Sequence, residues 1–303
     1  KCVFDPKKIK IALYRPFFKQ YLYFDHTFND ALYLVPKLFP DEKSENIIIC
    51  VPYRGIAANF STIITNVIPD LHILAQNQCF PLYIYKVNQN RKKERMFNIT
   101  KFALNEYRTF YNDKKITEED IFYYVYGLLH HPEYRKKYAN NLSSELPHIP
   151  MAPEFSKFCQ AGRNLAKLHL NYENGKKYNL GKPKNSGYGN LEKMSFGKKI
   201  ENGKKINDYT KLFINKILIF EDIPKMDYRL NGRLPLEWLI DRYQVRTDND
   251  SGIVNDPGDV DIISLIERVV FVGVESDKII KQLPQEFEPK DWKPRKKGLD
   301  EFV

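Results

Sequence analysis

The stretch ITEEDIFYYVYGLLHHPEYRKKYANNL, residues 116–142, constrains the fold more than any other part of the chain, because several local signals in it agree. Thr117 followed three residues on by Asp120 reads as a capping box, in which a side-chain oxygen takes up an orphan amide and a carboxylate reaches back, so a helix begins there. Ile121, Val125, Leu128 and Leu129 fall at i, i+4, i+7 and i+8, a stripe that faces a core. Pro132 stands where a second helix would start, since the first helical position needs no N–H, and Glu133 suits the positive end of that helix. The segment therefore reads as two consecutive helices joined at His130 and His131. Adjacent histidines project in different directions and cannot share a metal as an i, i+4 pair could. They read as a helix junction at which the helix dipole would stabilise a protonated ring.

Around this stretch the chain reads as α+β, with mixed β-sheet regions flanking a central helical block. In the 9–24 run, IKIALYRPFFKQYLYF, aromatic and β-branched residues are interrupted by Pro16, which suggests two strands around a bend. Residues 46–51 (NIIICV) and 61–67 (STIITNV) are apolar runs bounded by turn residues, as in buried strands. The loop between them presents Arg54 and Asn59. Gln76, Asn77 and Gln78 come directly before an expected strand at 81–85, and a basic run covers Arg91 to Arg95. A helix over 100–111 would bury Phe102, Leu104, Tyr107 and Phe110, and another over 154–169 would bury Phe155, Phe158, Leu165 and Leu168. Further on, 212–219 reads as a strand, 234–243 as a helix with Pro235 in its first turn, and 260–268 as the last helix, followed by a short VVFVGV run. The parts expected are a β-rich segment 1–115, the helical block 116–172, a basic β-rich segment with C-terminal helices 173–285, and a charged tail 286–303.

Charge narrows the function. The 303 residues carry 48 Lys and Arg against 38 Asp and Glu, a formal net charge of +10, which favours a polyanion, nucleic acid before an acidic membrane surface. The excess is concentrated between Lys176 and Lys216, where eleven lysines meet three acids with aromatic residues and glycines interleaved. Short strands joined by glycine turns would expose that charge on one face. Lys193, Lys198, Lys199, Lys204 and Lys205 are the candidate phosphate contacts, against the plain alternative of a solubilising surface. Direct base readout needs Arg for guanine or Asn and Gln for adenine, and Arg54, Asn59, Asn77, Gln78 and Asn190 are the candidates. Four cysteines, at 2, 50, 79 and 159, are too far apart for a C-x-x-C site and read as reduced thiols of a cytoplasmic protein. No apolar run reaches 18 residues, and no membrane association is expected beyond surface charge. A start at Lys rather than Met reads as a piece of a longer polypeptide.

Catalytic signatures are missing from the sequence. There is no N-P-P-Y or D-P-P-Y tetrad and no F-x-G-x-G turn for a methyltransferase, no P-loop, and no Glu-x-Lys at useful distance after Pro69-Asp70, which reads as a turn. Asp248, Asp250 and Asp256 lack the glycine and glutamate of a calcium loop. No catalytic residue, metal site or cofactor is assigned to the chain.

Several phrases carry a resemblance: YRPFFKQYLYFD, IPDLH followed by QCFPLYIY, EDIFYYVYGLLHHPEYRKKYANNL with ELPHIP, AGRNLAKLHLNYE, KMSFGKK, PLEWLIDRYQV and SGIVNDP. Together they resemble the C-terminal target-recognition region of type ISP restriction-modification enzymes, from about residue 11 to 284. The resemblance implies a module that selects a double-stranded DNA sequence for adenine-N6 methylation and cleavage by other domains of the same polypeptide. It implies an adjacent methyltransferase domain, with S-adenosylmethionine, ATP and Mg used by the parent enzyme rather than by this part. A module that only docks motor to methyltransferase, without reading bases, is the alternative. The resemblance assigns no base-contacting residue.

Overall fold

The computed structural model describes residues 3–29, 32–55, 59–87, 93–183, 193–244, 246–247, 254–255 and 260–293. The run around Pro16 forms the expected hairpin: β1 (Ile9–Arg15) and β2 (Phe18–Tyr23) pair antiparallel. A short helix α1 (Val35–Leu38) leads to β3 (Ile48–Pro52), β4 (Ile63–Thr65) and β5 (Ile68–Pro69). β5 lies parallel to β1, while β3 is the middle strand of a sheet between β4 and β6 (Asn77–Pro81). β7 (Tyr83–Val87) and β8 (Lys93–Phe97) make a second hairpin. The strand expected at 81–85 is thus divided at the buried Leu82, and Asn77 and Gln78 lie inside β6 rather than at a strand entrance. The basic run ends in β8, where Arg95 sits 4.3 Å from the Tyr83 ring centroid.

β3 explains the layering. All five of its residues are buried, which is how a continuous apolar run reads when both faces of a strand are covered. Ile48 and Cys50 join one hydrophobic core, and Ile49 and Val51 join the other, so the strand is a wall between two cores. Cys50 pairs across the sheet with Cys79, sulfur to sulfur 3.7 Å, both as free thiols.

The second core is the helical block: α2 (Lys101–Phe110), α3 (Glu118–Leu128), α4 (Pro132–Lys137), α5 (Ala139–Ser144) and α6 (Phe155–Leu170). The capping box of α3 is complete: Thr117 Oγ1 accepts the Asp120 N–H at 3.2 Å, and Asp120 Oδ2 accepts the Thr117 N–H at 2.9 Å. α3 is buried on more than the expected stripe, since Phe122, Tyr124 and Tyr126 are also covered, so it is a central helix rather than a surface one. It meets α6 backbone to backbone. A Cβ on Gly162 would lie 1.8 Å from the Tyr123 carbonyl oxygen, and one on Gly127 would lie 2.2 Å from that of Phe158. In α2, Leu104 and Tyr107 are buried, but Phe102 and Phe110 are exposed. At 3.6 residues per turn Phe102 stands about 200° around the helix from Leu104, so the four could not share one face.

His130 and His131 do form the junction between α3 and α4. His131 caps α4, its Nδ1 accepting the Tyr134 N–H at 3.2 Å while Nε2 donates to the Pro284 carbonyl at 2.8 Å. His130 Nδ1 donates to the Tyr126 carbonyl at 2.8 Å. The expected protonated ring is not what the fold holds: burial, with Arg135 and His169 nearby, drives the His130 pKa well below its ordinary value. His169, on α6, bonds Tyr126 Oη at 2.5 Å and Ser276 Oγ at 2.9 Å, and burial lowers its pKa to about 3.

The C-terminal half builds the first core. β9 (Ser195–Glu201) and β10 (Lys204–Phe213) form a hairpin, with β11 (Ile219–Phe220) on the other side of β10. The strand expected at 212–219 is broken by a turn in which Asn215 Oδ1 accepts the amides of Ile217 and Leu218. α7 (Pro235–Arg242) follows as expected, then a two-residue pairing of β12 (Arg246–Thr247) with β13 (Val254–Asn255). The last helix, α8 (Ile262–Lys281), is longer than expected and absorbs the VVFVGV run. Val269, Val270 and Val272 are buried there, and Gly273 lies against Met226, so packing outweighs the β-preference of valine. Beyond α8, Phe287 packs on His131 and Tyr134, and Glu288 accepts from Tyr138 Oη, folding this segment back onto α4.

Candidate nucleic-acid interface

Within the lysine-rich block, residues 195–213 form a two-stranded ribbon. Asn202 (φ +50°) and Gly203 (φ +74°) make its turn, the paired left-handed residues of a type I′ hairpin. From that tip five consecutive cross-strand pairs run back to Gly197 opposite Asp208, after which the register shifts and Phe196 pairs with Leu212. Phe196 and Leu212 are buried and anchor the root, with Tyr209 edge-on to Phe196 at 4.9 Å. Outside the root Lys198, Lys199, Lys204 and Lys205 are all exposed, as is Lys193, which leads into β9.

The root is joined to a loop cluster that the sequence reading missed. Tyr209 Oη donates to Glu237 Oε1 at 3.0 Å, and Glu237 pairs with Arg229 at 3.8 Å. Arg229 opens the turn RLNGR, in which Asn231 (φ +48°) and Gly232 (φ +76°) repeat the ribbon's turn geometry. Arg233 closes it, 4.4 Å from the Trp238 ring centroid and 3.7 Å from Asp241. Both arginine side chains remain about two-fifths exposed, at 41% and 37%. The available signal was an Asn-Gly turn flanked by two arginines.

Asn59 sits at this turn, so close that a Cβ on Gly232 would fall 2.7 Å from its Nδ2. Arg54 is exposed nearby in sequence, 5.9 Å from the Tyr53 ring, and the loop holding it is tied to α5 by the Gly55 N–H to the Ser143 carbonyl at 2.9 Å. Asn77 is placed differently. It is buried, its Oδ1 accepting the Leu74 N–H at 3.0 Å and its Nδ2 donating to the Asp70 carbonyl at 2.6 Å. The Leu74 carbonyl in turn accepts Asn231 Nδ2 at 2.7 Å, and the Asn231 N–H donates to Ser61 Oγ at 2.9 Å. Asn77 therefore spends both amide groups on holding the loop against which the RLNGR turn rests, leaving neither for a base edge in this conformation. Gln78 is half-buried opposite Val51 in β6. Asn190, like Asp248, Asp250 and Asp256, lies outside the described residues.

Asp70 caps its own turn through the His72 N–H at 2.8 Å and pairs with Arg15 at 2.9 Å. Among the described residues no three His, Cys, Asp or Glu gather as metal ligands, and no helix is long and apolar enough to cross a membrane.

A fold of α+β type with a basic ribbon rooted beside an arginine-flanked turn is the setting in which known relatives become informative. The chain belongs to the Type ISP C-terminal specificity domain family, which it matches over residues 1–269. Three solved structures are similar to it. A nuclease-deletion mutant of the Type ISP restriction-modification enzyme LlaGI, in complex with a DNA substrate mimic, is 32% identical with a TM-score of 0.78, over 95% of this chain and 22% of that one. The ATP-dependent Type ISP restriction-modification enzyme LlaBIII bound to DNA is 29% identical at a TM-score of 0.84, over 95% and 19%. DrdV in a DNA complex is 32% identical at 0.82, over 93% and 29%. The chain thus spans between a fifth and three-tenths of these polypeptides. Comparison with curated proteins gave no match.

Proposed function

We propose that this chain is the target-recognition module of a single-chain restriction-modification enzyme, binding double-stranded DNA and selecting the sequence at which neighbouring domains act. The observation that carries this reading is the exposed lysine ribbon rooted beside Arg229, Arg233 and Asn59, in a family whose solved relatives are bound to DNA. The lysines would neutralise phosphates and set the register, while Arg54, Asn59 and the RLNGR turn supply groups able to read base edges. Adenine-N6 methylation, ATP-driven motion and cleavage, with S-adenosylmethionine, ATP and Mg, would belong to other parts of the polypeptide. A methyltransferase domain is the expected neighbour.

A second reading, a docking module without base readout, is favoured by the outer face of β1 and β2. There Ile9, Ile11 and Tyr21 are exposed beside Tyr23, on which Phe4 stacks at 5.6 Å. Fluorescence anisotropy with duplex DNA over a salt series separates the two. Several phosphate contacts make log K fall by about 0.9 per contact for each log unit of salt. A flat response, or no binding, favours docking alone.

A further inference from the structure

We infer that one face of the β9–β10 ribbon enters the DNA major groove and that Ile200, at its centre, reads a thymine methyl group; this rests on the DNA-binding role proposed above. Directly paired residues of an antiparallel ribbon project to the same side, so the register sorts the ribbon into two faces. One carries Lys198, Ile200, Lys205 and Asn207, and the other carries Lys199, Glu201, Lys204, Ile206 and Asp208. The contacts agree with this sorting: Lys198 donates to Asn207, and Lys199 pairs with Glu201 at 3.2 Å.

The faces differ in charge. The first holds two lysines and no acid; on the second two lysines are offset by two carboxylates, one of which, Asp208, is held ionised by hydrogen bonds from Thr210. Only the first suits a groove walled by phosphates. It also carries the more exposed of the ribbon's two isoleucines: Ile200 is 80% exposed, whereas Ile206 on the opposite face is 37% exposed. A two-stranded ribbon fits the major groove, about 12 Å wide, and not the minor groove at about 6 Å. The five pairs outside the root reach about 14 Å, enough for the groove's depth of about 8.5 Å. On the groove floor an exposed isoleucine meets one apolar group that varies with sequence, the C5 methyl of thymine, while Asn207 beside it has an amide of the type that pairs with adenine.

The test uses the 303-residue chain. Selection from a randomised duplex pool defines its preferred site, and anisotropy then gives Kd for wild type, Ile200→Ser and Ile206→Ser on that duplex, with each thymine in turn replaced by deoxyuridine. One replacement is expected to weaken wild type about fourfold, what burying a single methyl contributes. Ile200→Ser is expected to lose a similar factor and become indifferent to that replacement, while Ile206→Ser stays within twofold of wild type. Ile200→Ser retaining wild-type affinity and thymine discrimination, or Ile206→Ser showing the loss, overturns the ribbon assignment alone. An absence of saturable duplex binding by wild type overturns the DNA reading and this inference with it.

Discussion

The α3–α6 crossing and the β9–β10 ribbon are opposite solutions within one chain. At the crossing two helices touch through backbone at Gly127 and Gly162, flanked by buried Tyr124, Phe158 and His169. The ribbon has no core beneath its outer five pairs and presents lysines and an isoleucine to solvent. The first region is specified by what cannot be added to it, the second by what it leaves exposed. Substitutions in the crossing should therefore register as stability, and substitutions in the ribbon as binding.

Gly162→Ala tests the contrast most severely. Its methyl group has no space between two backbones, so urea unfolding should report a loss of about 3 kcal/mol; an unchanged midpoint would mean the helices do not approach this closely. The histidines give the next effect. His169 is neutral in the fold with a pKa of about 3, while in the unfolded chain it protonates near 6.5. The unfolded state thus binds more protons between these values, so the stability from the neutral ring is complete above about pH 7 and is lost as pH falls through 6.5 toward 3. Between pH 7.5 and pH 5 the loss from this ring should be about 2 kcal/mol, in addition to that from His130, and His169→Gln should reduce the slope by that amount. The smallest expected change in stability is at the ribbon: Lys198→Glu with Lys205→Glu should stay within about 0.5 kcal/mol of wild type. The same pair should lower the salt dependence of DNA binding by about 1.8 log units per log unit of salt. A large drop in stability with intact binding would erase the distinction between the regions.

Legibility in the sequence followed the range of the interactions involved. Thr117, Asp120 and Pro132 act on neighbours within one turn, and the helix boundaries they imply are found in the structure. The Asn202-Gly203 turn is equally local, and so was the exposure of the lysines on it. α8 was divided wrongly because its valines favour strands until a second element covers them, and that element, with Met226, comes some forty residues earlier. Asn77 and Asn59 looked alike as loop amides. Asn77 is consumed by backbone groups only three and seven residues before it, at Leu74 and Asp70, once the 70–77 loop closes on itself. Arg229 and Arg233 were overlooked because Tyr209 and Trp238, over whose rings they lie, and Asn59, beside Gly232, come together only in the folded chain.

The burial of β3 on both faces has a consequence for how the module comes apart. Because Ile48 and Cys50 serve one core and Ile49 and Val51 the other, neither core can open without stripping one side of the same strand. Helical block and basic half should therefore unfold as one cooperative unit, with the amides of β3 exchanging with solvent only on opening of the whole. The proposed recognition surface, assembled from loops some 170 residues apart in the chain, would keep its geometry for as long as that strand stays in place.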